Sequence, residues 1–229
     1  MRSFGTGSRT AVAGLVLANL VPLVGVLAVG WTLHSLLVVY WLESGVMGVA
    51  YYGKIRRAEG GDDPDRLPDW EIKSFGETEP RLLESFVGKP NGRIARYFAT
   101  YFGACWLLHG AVVVYGFPDE FPTMTVASPS AVVPAVLSLT AYHALSYRLN
   151  FLEGREYERV GPVTLLVDPL ERVLVLHLTV VLGAIPIEWF GAPTGAVAVM
   201  VAAKTYVDLE AHRREHERAG PRPDAASTT

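Results

Sequence analysis

The sequence predicts an all-α, polytopic membrane protein with six transmembrane helices in antiparallel hairpins and with both termini in the cytoplasm. The first observation is a run of apolar residues between Thr10 and Gly53 in which Glu43 is the only charged residue. A chain of 229 residues has too small a core to bury such stretches in water. The second observation is that the basic residues cluster in a few segments between the apolar runs.

A helix needs about 20 apolar residues to cross a hydrocarbon core of about 30 Å. Six stretches approach this length: Thr10–Val29, Trp31–Gly53, Ala95–Phe117, Ser130–Leu152, Leu170–Phe190 and Pro193–Leu209. The connections after the first and fifth stretches are very short, so each of those pairs is predicted to form a tight hairpin. A cleaved signal peptide ending near Ala28-Val29-Gly30 is the alternative for the first stretch, but that stretch is longer than a usual signal core.

These spans divide the chain into four regions. Residues 1–53 form the first transmembrane hairpin, and residues 54–94 form a cytoplasmic polar segment with a short amphipathic helix over Pro80–Val87. Within that segment, Gly60–Asp65 has the composition of a turn or flexible linker. Residues 95–212 form a four-helix transmembrane region, and residues 213–229 form a disordered cytoplasmic tail.

The distribution of positive charge predicts the orientation in the cell membrane. Counted with the helix ends beside them, and with Lys204 in the C-terminal group, all 20 Lys and Arg residues fall at the two termini, between spans two and three, or between spans four and five. The other three connections carry none, so both termini are expected in the cytoplasm. The expected partners are the lipid bilayer and a protein that binds the 54–94 segment. With a net charge of −3 and no long basic run, the chain has no electrostatic footprint for nucleic acid.

Polar side chains inside the spans are the candidates for function, because ionisable groups are costly and rare in a bilayer. The predicted intramembrane network is Glu43, His109, His143, Ser146, Asn150, His177, Lys204, Asp208 and His212. Two sets within it have helical spacing: His143, Ser146 and Asn150, and then Lys204, Asp208 and His212. Each set is therefore expected to form one stripe that faces the bundle interior. His34 lies near the outer surface and receives no role.

Three functions fit this network. In the first, which we favour, the polar layer holds the helices together and has no catalytic role. In the second, the protein is an intramembrane metal-dependent hydrolase: His143, His177 and Asp208 bind a divalent metal, and Glu43 is the general base that activates water. In the third, the protein is a small proton-coupled transporter or channel in which the same groups relay protons. The single Cys105 excludes an internal disulfide and any CxxC metal or redox motif.

Several short motifs occur in a fixed order along residues 15–215. They are Asn19–Val26, Tyr40-Trp41-Leu42-Glu43, His109-Gly110, His143-x-x-Ser146-x-x-x-Asn150-Phe151, Glu156-Tyr157, Leu176-His177 and Lys204-Thr205-x-x-Asp208-Leu209-x-Ala211-His212. This set resembles a family of uncharacterised multi-pass membrane proteins common in salt-loving archaea. The resemblance implies a fold and no activity. The chain departs from the family pattern at Ser44, where an asparagine is frequent, and at Tyr101, where a histidine is expected. If that histidine is a metal ligand in the relatives, its loss weakens a metal role here.

Overall fold

The computed structural model describes residues 21, 24–25, 28–62, 83–116, 118, 126–169 and 205–206. These residues are helical or irregular, with no strand among them, which agrees with the predicted all-α class. The whole fifth predicted span, most of the sixth and the 213–229 tail lie outside the described residues, as do most of the first span and residues 63–82 of the polar segment.

Three long helices form the described core. Helix α1 spans Leu33–Arg57, helix α2 spans Asn91–Ala111, and helix α3 spans Pro129–Ser146. Helix α2 continues as a π-helix over Val112–Gly116, and α3 continues as a π-helix over Tyr147–Glu153. The second, third and fourth predicted spans therefore correspond to helices whose ends differ from the prediction by at most four residues.

The turn before α1 is as short as the sequence predicts. The described residues at 21–29 are helical, and Gly30 then adopts a positive φ of 71°, a conformation that glycine reaches without steric cost. The Thr32 hydroxyl accepts a hydrogen bond from the Ser35 amide at 3.2 Å and so caps the N-terminus of α1. Three non-helical residues, 30–32, therefore separate the two helical stretches.

Contacts between side chains give the relative directions of the helices. Helix α2 is antiparallel to α1, because Trp41 contacts Trp106 near the middle and Asn91 at the start of α2 bonds to Ala58 at the end of α1. Helix α3 is parallel to α1, because Glu43 lies beside His143 while Lys54 lies over the Phe151 ring. Successive long helices therefore alternate in direction.

A further helix, α4, packs near the end of α1. It is described over 162–169, and its buried side chains join the main apolar cluster with residues of α1, of α2 and of the π-helical continuation of α3. The 83–90 stretch beside it contains a 3₁₀ turn over Glu84–Phe86. Because residues 80–82 lie outside the described part, the predicted amphipathic helix stays a prediction.

Candidate functional site

The structure brings together two of the predicted polar residues, Glu43 of α1 and His143 of α3. Glu43 Oε1 lies 3.6 Å from His143 Nε2, and the two side chains are only 8% and 12% exposed. The Tyr142 ring packs at an angle against the imidazole, with the ring centroids 5.0 Å apart. The distance from the Glu43 carboxylate to the His143 imidazole is just beyond hydrogen-bond length.

Ser146 and Asn150 continue the predicted stripe of α3. The Asn150 side-chain amide donates to the Ser146 hydroxyl at 3.3 Å, and Asn150 is buried. This contact lies where α3 becomes the π-helix over Tyr147–Glu153, a wider turn that often marks a functional position. The stripe therefore has two parts: His143 faces Glu43, while Ser146 and Asn150 bond to each other.

Of the remaining residues of the predicted polar network, the structure describes only His109. His109 lies half buried near the end of α2. His177, Lys204, Asp208 and His212 lie outside the described residues. In the described part of the chain no three His, Cys, Asp or Glu side chains are grouped as a metal site would require, so the metal ligand set His143, His177 and Asp208 stays a prediction.

His34, which the sequence analysis left without a role, joins the start of α1 to the end of the α2 continuation and to the segment before α3. Its Nδ1 accepts a hydrogen bond from the Ala127 amide at 2.9 Å, and its Nε2 lies 2.9 Å from the Val113 carbonyl oxygen. Because Nδ1 is the acceptor, the ring proton resides on Nε2 and is donated to Val113. Val113 belongs to the π-helix of residues 112–116, where widened turns leave carbonyl groups to be satisfied. No local sequence signal indicates this role.

Trp41 and Trp106 form a reciprocal clasp between α1 and α2. Their rings stack with centroids 4.7 Å apart, and each indole N–H donates to the backbone carbonyl of the other tryptophan, at 3.0 and 2.9 Å. A Cβ on Gly110 would lie 2.4 Å from the Trp41 ring, and a Cβ on Gly45 would lie 2.8 Å from the Trp106 ring. The two glycines therefore give the indoles room to reach the opposite backbone.

Asp62 anchors α4 to the end of α1. Its carboxylate accepts hydrogen bonds from the Val163 amide at 3.0 Å and from the Thr164 amide at 2.9 Å. It thereby caps the N-terminus of a helix 100 residues further along the chain, where a negative charge is favourable. The composition of Gly60–Asp65 predicts a turn or flexible linker, whereas its described part through Asp62 docks against the segment that precedes α4.

The comparisons agree with the expectation of a family without an assigned activity. No curated protein and no solved structure shows significant similarity to the chain. One family model matches residues 1–225, which is nearly the whole sequence. On that match, the chain belongs to DUF6498, a family of unknown function.

Proposed function

We propose that this chain is an integral membrane protein with six spans and cytoplasmic termini, in which a buried polar layer holds the helices together. The observation that carries the proposal is the distribution of apolar and polar side chains. Val49, Leu107, Leu108 and Leu137, which come from all three long helices, are 64–75% exposed, while the Glu43 residue is only 6% exposed. A water-soluble protein places these residue types the other way round, whereas lipid favours this arrangement.

Helix lengths add to this support. His34–Arg57 and Asn91–Gly116 are long and apolar enough to cross a membrane. A core helix of a soluble protein passes the same test, but such a helix is mostly buried. Only 22% of the most apolar window in Asn91–Gly116 is buried, which favours contact with lipid.

Charge at the two ends of the bundle supports the orientation. The end formed by the start of α1, the end of α2 and the start of α3 has no Lys or Arg among its described residues. The opposite end holds nine described basic residues: Lys54, Arg56, Arg57, Lys89, Arg93, Arg96, Arg148, Arg155 and Arg159. This asymmetry favours the basic end as the cytoplasmic one. Its exposed arginines also make the 54–94 segment our proposed contact site for a protein partner.

Cys105 provides a direct test of the membrane location, because it is the single cysteine and it is exposed near the middle of α2. In intact cells and in membranes opened by sonication, a membrane-impermeant maleimide should leave Cys105 unlabelled, since lipid covers it. Denaturation in detergent should make it reactive. Rapid labelling of native Cys105 in the absence of detergent would contradict the proposal.

Two variants in a Cys105→Ala background test the orientation. Ser128 lies just before α3, and Glu153 ends its π-helical continuation; both are exposed. Ser128→Cys should react with the impermeant reagent in intact cells, while Glu153→Cys should react only after the membrane is opened. The reverse pattern would invert the topology.

A double-mutant cycle tests the structural role of the Glu43–His143 pair. Glu43→Gln, His143→Gln and the double variant should show a coupling of about 1 kcal/mol in the free energy of unfolding, as expected for polar contacts between membrane helices. Ser138→Ala is the matched control, because the Ser138 hydroxyl bonds only within α3, to the Ala135 carbonyl at 2.9 Å. A cycle that combines Ser138→Ala with Glu43→Gln should show no coupling in the free energy of unfolding. An equal coupling in the Glu43–His143 and Glu43–Ser138 cycles would contradict a structural role for the Glu43–His143 pair.

Proton-coupled transport is the second candidate, and the same pair favours it. A carboxylate and an imidazole 3.6 Å apart can share or pass a proton. In liposomes, a proton flux that Glu43→Gln abolishes without lowering the melting temperature would favour transport over the structural role.

The metal-dependent hydrolase is tested by elemental analysis of the wild type beside His143→Ala. One zinc, iron or manganese per chain in the wild type, lost in the variant, would support it.

A further inference from the structure

We propose that the groove between α1 and α2 binds one anionic phospholipid of the cytoplasmic leaflet, with an acyl chain in the groove and the phosphate beside Arg56 and Arg96. This inference rests on the proposed membrane location. The occupant is identified by three features: the length of the groove, its lateral opening and the cations at its cytoplasmic end.

The groove has a volume of about 650 Å³ and is lined by apolar residues along its length. It runs from Leu42 and Trp106 to Tyr52 and Phe98. Ten residues of helix correspond to about 15 Å, which is half of a hydrocarbon core of about 30 Å. The groove therefore has the length of one leaflet, whereas a transmembrane helix of a second chain would need a groove through both leaflets.

The groove is open towards the side of the bundle. A Cβ on Gly103 of α2 would meet nothing within 4 Å, and Val49 on the opposite wall is 75% exposed. At Gly48 of α1 the missing side chain lets the Phe102 ring lie against the helix backbone, because a Cβ there would be 2.4 Å from that ring. An acyl chain can therefore enter from the bilayer without any helix moving.

Two arginines lie at the cytoplasmic mouth of the groove. Arg56 follows Val49 by seven residues on α1, and Arg96 precedes Gly103 by seven on α2, so each shares a helix face with a groove-lining residue. Arg56 Nη1 lies 3.5 Å from the hydroxyl of Tyr52, the last lining residue of α1. Both arginines are exposed, and within the described part of the chain neither is paired with a carboxylate.

Arg56 and Arg96, more than the groove, are expected to determine which lipid headgroup is preferred. An acyl chain gains little by leaving a bilayer that is as apolar as the groove. A guanidinium near the membrane surface, in contrast, attracts an anionic headgroup and forms charge-assisted hydrogen bonds to its phosphate. The groove thus holds one chain in place while the arginines favour a headgroup with net negative charge.

Native mass spectrometry of the full chain released from detergent tests the proposal, with phosphatidylglycerol and phosphatidylcholine as the two probes. We expect phosphatidylglycerol to bind about 25-fold more tightly, which corresponds to about fivefold for each arginine. Arg56→Gln and Arg96→Gln should each weaken phosphatidylglycerol about fivefold. They should weaken phosphatidylcholine much less, because its choline cation offsets the charge of its phosphate. Arg148→Gln removes the same charge from an exposed ion pair on the π-helical continuation of α3 and is the matched control.

Gly103→Leu should fill the groove and weaken both lipids equally, while Ala104→Leu, on an exposed neighbouring position that does not line the groove, should weaken neither. The proposal is overturned by equal affinity for the two lipids in the wild type, by unchanged binding in both arginine variants, or by unchanged binding in Gly103→Leu. It is also overturned if Gly103→Leu converts a dimer to a monomer without affecting lipid binding. If the chain does not lie in a membrane, native Cys105 will react with the impermeant maleimide in the absence of detergent. That result is distinct from a failure of lipid binding.

Discussion

Gly110→Ala is the substitution whose effect follows most directly from the geometry. The added methyl group would lie 2.4 Å from Cζ2, 2.5 Å from Cε2 and 2.8 Å from Nε1 of Trp41. Real contacts to a Cβ are not that short, so the Trp41 indole must move. Its movement also disturbs Trp106, because the two rings stack and exchange hydrogen bonds.

The expected cost is the sum of the interactions in the clasp, less the better helix propensity of alanine. Two hydrogen bonds contribute about 1 kcal/mol each, and the stacked aromatic pair contributes about 1 kcal/mol more. Alanine in place of glycine within a helix returns about 1 kcal/mol. The net loss is therefore about 2 kcal/mol, which lowers the melting temperature of a chain of this size by about 4–8 °C.

Gly103→Ala is the matched control on the same helix. A Cβ there meets nothing within 4 Å, so only the gain in helix propensity remains, and the melting temperature should rise by about 1–4 °C. Both variants are compared with the wild type by thermal unfolding in one detergent, with near-ultraviolet circular dichroism reporting the tryptophan pair. A Gly110→Ala protein that is as stable as Gly103→Ala would refute the clasp as a source of stability.

The remaining predictions concern the two ends of the bundle. His34→Ala should lower the free energy of unfolding by about 2–3 kcal/mol in denaturant titrations, because it removes two hydrogen bonds and leaves both backbone partners unsatisfied. Asp62→Ala should cost about 1–2 kcal/mol and speed hydrogen exchange at the first amides of 162–169, whereas Asp62→Asn should cost less. The hydrogen bond from Arg155 lowers the pKa of Glu158 below its ordinary 4.5, so the contribution of this exposed pair to stability is complete above that value and is lost as the pH falls through the lowered pKa. Carboxyl NMR titration should show the Glu158 pKa returning towards 4.5 in Arg155→Gln.

The helical spans could be predicted because they depend on local composition. The second to fourth predicted spans correspond to α1, to α2 with its continuation, and to α3 with its continuation, because a run of apolar residues of this length favours a helix wherever its neighbours lie. The π-helical continuations were not predicted, since a change from α to π geometry depends on packing and has no dependable composition. The stripe of His143, Ser146 and Asn150 follows from helical spacing alone, and the structure adds which of them face Glu43.

The sequence by itself determined the all-helical class, the positions of the three long described helices, and the separation of basic from non-basic ends. Each of these depends on residues that are neighbours along the chain. Only the tertiary structure decided that Glu43 lies beside His143, that His34 joins Val113 to Ala127, and that Asp62 caps α4. Such contacts join residues about 80–100 positions apart, and they depend on how whole helices pack, which the identity of a single residue does not specify.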